Sequence, residues 1–420
     1  MVHQPVTDHP GESSTAPRTS AATESTADRV SAFLAALFGW TLDAFDFFLV
    51  VFCLTAIGKD FAKSDAEIAL SVTLTLAFRP VGAFIFGLLA DRYGRKIPMA
   101  INLLFYSLFE VLTGLAPNYA TFLVCRALFG IGMGGNWGVG ASLAMEKVPI
   151  RLRGLMSGIL QQGYALGYLL AAMCYFFVFE KIGWRPLFFL GGLPALLSLY
   201  VMLGVKESEV WKQNRHETWR DLALAIRANW KLFVYMSLLM MTMNFCSHGT
   251  QDMYPTFLQR QWHFAPRERS ALAAFSMVGA IIGGSLIGML SDRFGRRRSI
   301  IVGLLLAIAV VPLWTYAPTV PLLALGAFLM QFFVQGAWGV IPAHLAELAP
   351  NSVRGFLPGF SYQCGVLLAS SVVTIEALFA EHISYGAAMA LTGVTVFSLA
   401  AIATALGREK RAADFAAGRS

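Results

Sequence analysis

Long apolar runs separated by short polar turns set the rhythm of this chain. A helix that crosses the hydrocarbon core of a bilayer needs about 20 mostly apolar residues, since each advances the chain about 1.5 Å. Runs of that length fall at roughly 31–57, 67–91, 97–115, 119–145, 153–179 and 185–204. They resume at roughly 230–258, 268–292, 298–316, 320–347, 354–380 and 384–406. Between the two sets, the charged stretch from Lys206 to about Arg227 is amphipathic enough for a short interfacial helix. The pattern predicts an all-α membrane protein of twelve transmembrane helices. The expected organisation is a tail over 1–28, a six-helix bundle over 29–204, a linker over 205–229, a second bundle over 230–407 and a tail over 408–420. The first segment is rich in Ser, Thr and Pro and lacks apolar periodicity, so it reads as a disordered cytoplasmic tail. The first apolar run is too long for the h-region of a signal peptide.

Composition agrees with the pattern. Hydrophobic residues make up 56% of the chain and charged residues only 14%, against about 25% charged in a soluble domain. So few charges cannot cover a water-exposed surface, and lipid must cover much of it. The net charge of +7 does not point to nucleic acid, because the basic residues sit in short loops. Their distribution orients the chain. Of 32 Lys and Arg, 23 fall in the tails, the linker and alternate loops, seven in the remaining loops, and Arg79 and Arg126 inside helices. By the positive-inside rule both termini are cytoplasmic in a multi-pass protein of the cell membrane. The five cysteines are scattered through apolar runs, without the spacing of a disulfide framework or a metal site. No metal, cofactor or nucleic-acid partner is expected, and the protein is expected to be monomeric.

An internal repeat follows. Gly87-Leu-Leu-Ala-Asp91-Arg92-Tyr-Gly94-Arg95-Lys96 reappears 201 positions on as Gly288-Met-Leu-Ser-Asp292-Arg293-Phe-Gly295-Arg296-Arg297. The same offset maps Trp137-Gly138-Val139 onto Trp338-Gly339-Val340, Glu146 onto Glu347, and Arg153-Gly154 onto Arg354-Gly355. One register held over four helices means duplication, and parallel repeats of six helices are a recognised transporter architecture. The Gly-x-x-x-Asp-Arg-x-Gly-Arg-Lys/Arg loop resembles the signature of the major facilitator superfamily, and Arg126-x-x-x-Gly130-x-Gly132-x-Gly134-Gly135 resembles its fourth-helix motif. That resemblance implies two six-helix bundles related by a pseudo-two-fold axis. It also implies gating residues. Asp91 and Asp292 would cap neighbouring helix ends and pair with Arg95 and Arg296, with Arg92 and Arg293 in the same loops, latching the cytoplasmic side. The fifth helix lacks the Gly-Pro element that resembles drug/proton antiporters, which favours symport or uniport.

Ionisable residues deep in a membrane are costly and mark functional sites. Asp43 and Asp46 lie halfway along the first run, spaced i, i+3 on one face. Two close carboxylates in a low dielectric do not both ionise cheaply, so a proton-coupling role is expected. The alternative is a cap or pair with a neighbouring helix. Arg79 stands about 18 Å above Asp91, near mid-membrane. Its guanidinium fork suits a carboxylate, either a substrate's or that of Asp43 or Asp46 in a static pair. On the seventh run Asn244, His248 and Asp252 are spaced i, i+4, i+8, with Ser247, Thr250 and Gln251 among them. Such a polar stripe must line a water-filled path. Arg126 reads as structural, and His344 and Glu347 as solvated or gate-forming.

The pattern Asn244-x-x-Ser247-His248-x-Thr250-Gln251-Asp252-x-x-x-Thr256 closely resembles that of fungal lactate/pyruvate:proton symporters, within the sialate:proton symporter group. The first helix, Asp43-Ala-Phe-Asp46-Phe-Phe, is also similar to that group. The resemblance implies a proton-coupled symporter of small organic anions, foremost monocarboxylates such as lactate or pyruvate. Arg79, Asn136, Gln162, Asn244, Ser247, His248, Thr250, Gln251, Tyr362 and Gln363 would bind substrate, and Asp43, Asp46, His248 and Asp252 would carry the proton. Sialic acid and aromatic acids are the rival substrates. A transporter-fold nutrient sensor ranks lower, and an enzyme lower still, since no nucleophile–base motif is evident.

Overall fold

A computed structural model describes residues 25–215, 218–369 and 372–415. Most of the expected N-terminal tail, residues 1–24, lies outside that description. The first bundle contains α1 (Thr26–Phe61), α2 (Asp65–Tyr93), α3 (Lys96–Gly114), α4 (Tyr119–Lys147), α5 (Arg153–Gln161), α6 (Gly163–Ile182), α7 (Trp184–Leu190) and α8 (Leu193–Gly204). The linker holds two short helices rather than one, α9 (Glu209–Asn214) and α10 (Trp219–Ala228). The second bundle contains α11 (Trp230–Gln251), α12 (Tyr254–Arg260), α13 (Pro266–Phe294), α14 (Arg296–Thr315), α15 (Val320–Leu348), α16 (Leu357–Ala369), α17 (Val372–Ala380) and α18 (Tyr385–Leu406).

These elements form twelve passages, of which the fifth, sixth and seventh are each made of two helices joined by a short turn, α5–α6, α7–α8 and α11–α12, and the eleventh holds α16 and α17. Among the described residues nine helices are long and apolar enough to cross a membrane on their own, ten if the bent pair of α10 (Trp219–Ala228) and Trp230–Arg260 counts as one. The fourth passage is diluted by six glycines, Asn136 and Arg126.

Polar caps begin the helices. Ser25 starts α1 by accepting from the Asp28 N–H, Ser64 and Glu67 form a reciprocal box at α2, and Asn118 and Ser384 cap α4 and α18. The outer faces are apolar, with Leu104, Leu108, Phe176, Phe177, Leu196 and Leu203 among the exposed side chains. Exposed apolar residues over so much of a surface mark lipid contact.

Two glycine features show the duplication in three dimensions. Gly94 and Gly295, 201 positions apart, have φ of 102° and 98°, which explains why the loop repeat carries Gly at that point. Gly82 on α2 presses on the Ile131 backbone of α4, and Gly283 on α13 presses on the Phe332 backbone of α15. Neither site leaves room for a Cβ. The two bundles thus repeat the same helix crossing at the same register.

Candidate functional site

The two copies of the loop repeat build reciprocal clasps between the halves. Asp91, at the end of α2, accepts from the N–H groups of Gly355 at 2.7 Å and Phe356 at 2.9 Å, just before α16. Asp292, at the end of α13, accepts from Gly154 at 2.8 Å and Leu155 at 3.1 Å at the start of α5. Each carboxylate therefore caps the N-terminus of a helix in the opposite half, where free N–H groups and the helix dipole favour an anion. Arg95 pairs with Asp91 at 2.8 Å and Glu146 at 3.0 Å, and Arg296 pairs with Asp292 and Glu347, both at 2.9 Å. Arg153 reaches across to Glu347 at 3.1 Å. Sequence reasoning placed Asp91, Arg95, Asp292 and Arg296 here but did not include Glu146, Arg153 or Arg354. The 201 offset had already paired all of them. His344 and Glu347 are both buried, which removes the solvated reading; Glu347 is part of the clasp. Arg92 stacks near Tyr93, and the Arg293 carbonyl accepts from Arg411.

Above the clasps lies a layer of aromatic rings. Tyr362 on α16 sits between Trp137, with centroids 4.6 Å apart, and Trp338, at 5.8 Å. The Trp137 Nε1–H donates to Gln161 at 3.2 Å and the Trp338 Nε1–H to the Met243 carbonyl at 3.0 Å. The Arg79 guanidinium lies over the Tyr362 ring, 5.7 Å from its centroid. Arg79 is buried, yet its Nε and Nη2 have no hydrogen-bond partner. No ion pair joins it to Asp43 or Asp46, so the static pair is not formed here; Asp43 is its nearby opposite charge. Two unpartnered donors on a buried guanidinium can pair with both oxygens of a carboxylate.

Asp43 and Asp46 share a face of α1 but occupy different surroundings. Both are fully buried, with all four carboxylate oxygens unpartnered. Asp43 neighbours Arg79 and Asn136, and Asn136 donates to the Gly39 carbonyl at 2.8 Å. Asp46 instead approaches Glu110 on α3, which is ion-paired with Arg126 at 2.5 Å. Arg126, expected to be structural, also lies over Phe129. Glu110 was not among the sequence candidates, because one acid within an apolar run gives no hint of its partner.

The seventh-passage stripe divides in two. His248 Nδ1 and Asp252 Oδ2 are 3.0 Å apart, with side chains 33% and 38% exposed. The pair is therefore partly exposed. Asp252 stands at the short turn between α11 and α12, with its own N–H still bonded to the His248 carbonyl. Ser247, Thr250 and Gln251 turn instead to α15. Gln335 donates to Ser247 at 3.0 Å, and Gln331 donates to Thr250 at 3.2 Å and accepts from Gln251 at 2.9 Å. Asn244 is buried and bonds back to the Met240 carbonyl. Gln331 and Gln335, four apart on the tenth run, went unread for lack of a motif. Glu376 on α17 also escaped notice. It is fully buried, both oxygens lack a partner, and its charged neighbour is Asp252. Gln363 spans the halves to the Gly134 carbonyl at 3.4 Å, and the Gln162 amide fills the space beside Gly284.

The two bundles are clasped at the Asp91/Asp292 end, and the Trp137–Tyr362–Trp338 layer lies next to the clasps. One unsatisfied guanidinium and several unpartnered acids accompany them. Such a site can neutralise an anion and hold protons; among the described residues no cluster suits a metal ion.

Comparison with known proteins agrees on the architecture. The family profile described as "Major Facilitator Superfamily" matches residues 36–254 and 245–419, once for each half. The "Carboxylic acid transporter protein homolog" of Saccharomyces cerevisiae is 31% identical over 388 residues, covering 83% of this chain and 61% of that protein's length. The "Sialic acid transporter NanX" of Escherichia coli is 28% identical over 371 residues, covering 87% of this chain and 90% of its own. The solved structure of the proton:xylose symporter XylE superposes with a TM-score of 0.75 at 19% identity, covering 92% of this chain and 97% of that one. At that identity it speaks for the fold alone.

Proposed function

This chain belongs to the Major Facilitator Superfamily and is a multi-pass membrane transporter, and from that premise we propose that it is a proton-coupled symporter of small organic anions. The observation that carries the reading is Arg79, a buried guanidinium with two unpartnered nitrogens at the interface of the halves. A permanent charge at that depth needs an anion, and a carboxylate matches its fork. The relatives whose names specify carboxylic acids and sialic acid support an anionic substrate.

In this reading the clasped end faces the cytoplasm, in line with the Lys/Arg distribution, and the structure is the outward-open member of an alternating-access pair. A monocarboxylate such as lactate or pyruvate enters from the opposite end. Its carboxylate binds Arg79 above the Tyr362 ring, with Asn136, Gln162 and Gln363 beside it. Across the cleft, His248 and Gln251 face its other end; Ser247 and Thr250 hold the stripe to α15 through Gln331 and Gln335, and Asn244 steadies the helix below. Asp43, Asp46, the His248/Asp252 pair and Glu376 are the proton-holding groups. A carboxylate without a hydrogen-bond partner is too costly to bury as an anion unless a proton or a cation joins it. Protonation of the cleft acids makes the site attractive to an anion, and their deprotonation expels it.

Sialic acid is the rival substrate within the same class. The test is counterflow in proteoliposomes loaded with labelled lactate, with unlabelled lactate, pyruvate, sialic acid, an aromatic acid and lactamide as competitors. An organic-anion site exchanges with at least one acid and ignores the neutral amide. Equal exchange with lactamide, or none with any acid, would remove the reading.

A further inference from the structure

The twelfth passage ends at Leu406, and the residues after it read as a cytoplasmic tail. The structure folds them back onto the bundles. Glu409 turns back and caps α14, accepting from the N–H groups of Arg296 at 3.2 Å and Arg297 at 2.9 Å. Glu207, after the sixth passage, does the same for α3 through Arg95 and Lys96, so the two bundles anchor their following segments alike. From Glu409 the chain runs beneath the clasps. The Ala413 carbonyl accepts from Arg153 at 2.9 Å and the Phe415 carbonyl from Asn351 at 2.8 Å. The Phe415 ring, 3% exposed, is inserted between two guanidinium groups, with Arg153 at 3.8 Å and Arg354 at 3.6 Å from its centroid.

Those two arginines are 201 positions apart, one from each half, and both are buried. Glu347 pairs with Arg153, and Glu146 stands 3.7 Å from Arg354. Cation–π attraction draws both guanidinium groups onto one ring, which screens two like charges that would otherwise repel. Opening this end must separate Arg153, which moves with the first bundle, from Arg354, which moves with the second. One ring cannot follow both.

We propose that residues 409–415 are a strap that locks the Asp91/Asp292 end closed, and that Phe415 must leave the Arg153–Arg354 slot before the halves part there. The strap makes the C-terminal segment a control point for the transport cycle, separate from the substrate site.

Hydrogen exchange of the full chain in lipid nanodiscs tests this, because exchange of a clasp amide reports how often the clasp opens. Peptides covering Gly154–Leu155 and Gly355–Phe356 are followed in wild type, in Phe415→Leu, which keeps apolar bulk but loses the ring, and in a chain ending at Ala412, which keeps Glu409. Asp91→Asn is the positive control. The expected result is exchange about tenfold faster at both peptides in Phe415→Leu and faster still in the shortened chain, with α3 and α14 unchanged. Wild-type protection at the clasps in both variants, alongside deprotection in the control, would overturn the proposal. A rise spread equally over α3 and α14 would overturn it too, as that is general loosening.

Discussion

Asp91→Asn is the perturbation whose size the structure fixes best. Asp91 accepts two hydrogen bonds from the opposite half and one ion pair from Arg95 in its own half. Arg95 travels with Asp91 when the halves separate, so only the two bonds to Gly355 and Phe356 bear on opening. A hydrogen bond to a charged group contributes about 1.5–3 kcal/mol net of water. Asparagine keeps one acceptor and loses the charge, so roughly half of the pair's contribution goes. The closed state should then weaken by about 1.5–3 kcal/mol, a roughly 10- to 100-fold shift toward opening. Asp292→Asn removes the same pair of bonds on the other side, from a carboxylate 11% exposed instead of fully buried, so its shift falls at the lower end. The two clasps resist one motion from separate places, and their effects should add in the double variant. Spin labels at Tyr93 and Phe294, exposed and repeat-related just beyond the two aspartates, give the distance across this end by double electron–electron resonance. A longer-distance population should grow in the order wild type, Asp292→Asn, Asp91→Asn, double variant. Distance distributions identical to wild type in all three variants would refute the reasoning.

Three further outcomes are expected. Arg79→Lys keeps a positive charge but loses the bidentate fork, so lactate counterflow should fall at least tenfold while the protein still reaches the membrane. Wild-type exchange in Arg79→Ala would remove Arg79 from the anion site. Asp252→Asn mimics the protonated acid and should retain counterflow yet lose uphill accumulation driven by a pH gradient; continued accumulation would move the proton to Asp43, Asp46 or Glu376. Glu110→Ala leaves Arg126 buried without its partner and should cost about 3–5 kcal/mol, read as a large fall in thermal unfolding temperature in detergent. Unchanged melting would show the Arg126–Glu110 pair to be dispensable.

Much of this was legible in the chain because it depended on periodicity or repetition. Apolar run lengths gave the twelve passages, and the duplicated loop, through its resemblance to the family signature, pointed to both clasps. Partners that lie far apart in sequence were not legible. Glu110 finds Arg126, Glu376 finds Asp252, and Gln331 and Gln335 find the seventh-passage stripe only once the helices cross. The packing of the C-terminal tail was not legible either, because nothing local shows that Phe415 has two arginines waiting for its ring.

The central claim is that protons move with the anion, and simultaneous recording of both tests it most directly. Proteoliposomes with no imposed gradient are placed in weakly buffered medium, and lactate or another acid active in counterflow is added while external pH and labelled uptake are followed together. The account predicts external alkalinisation that tracks uptake, that vanishes when a proton ionophore collapses the gradient, and that is lost with exchange retained in Asp252→Asn. Anion uptake with no pH change, at the same rate with or without an inward proton gradient, would contradict it.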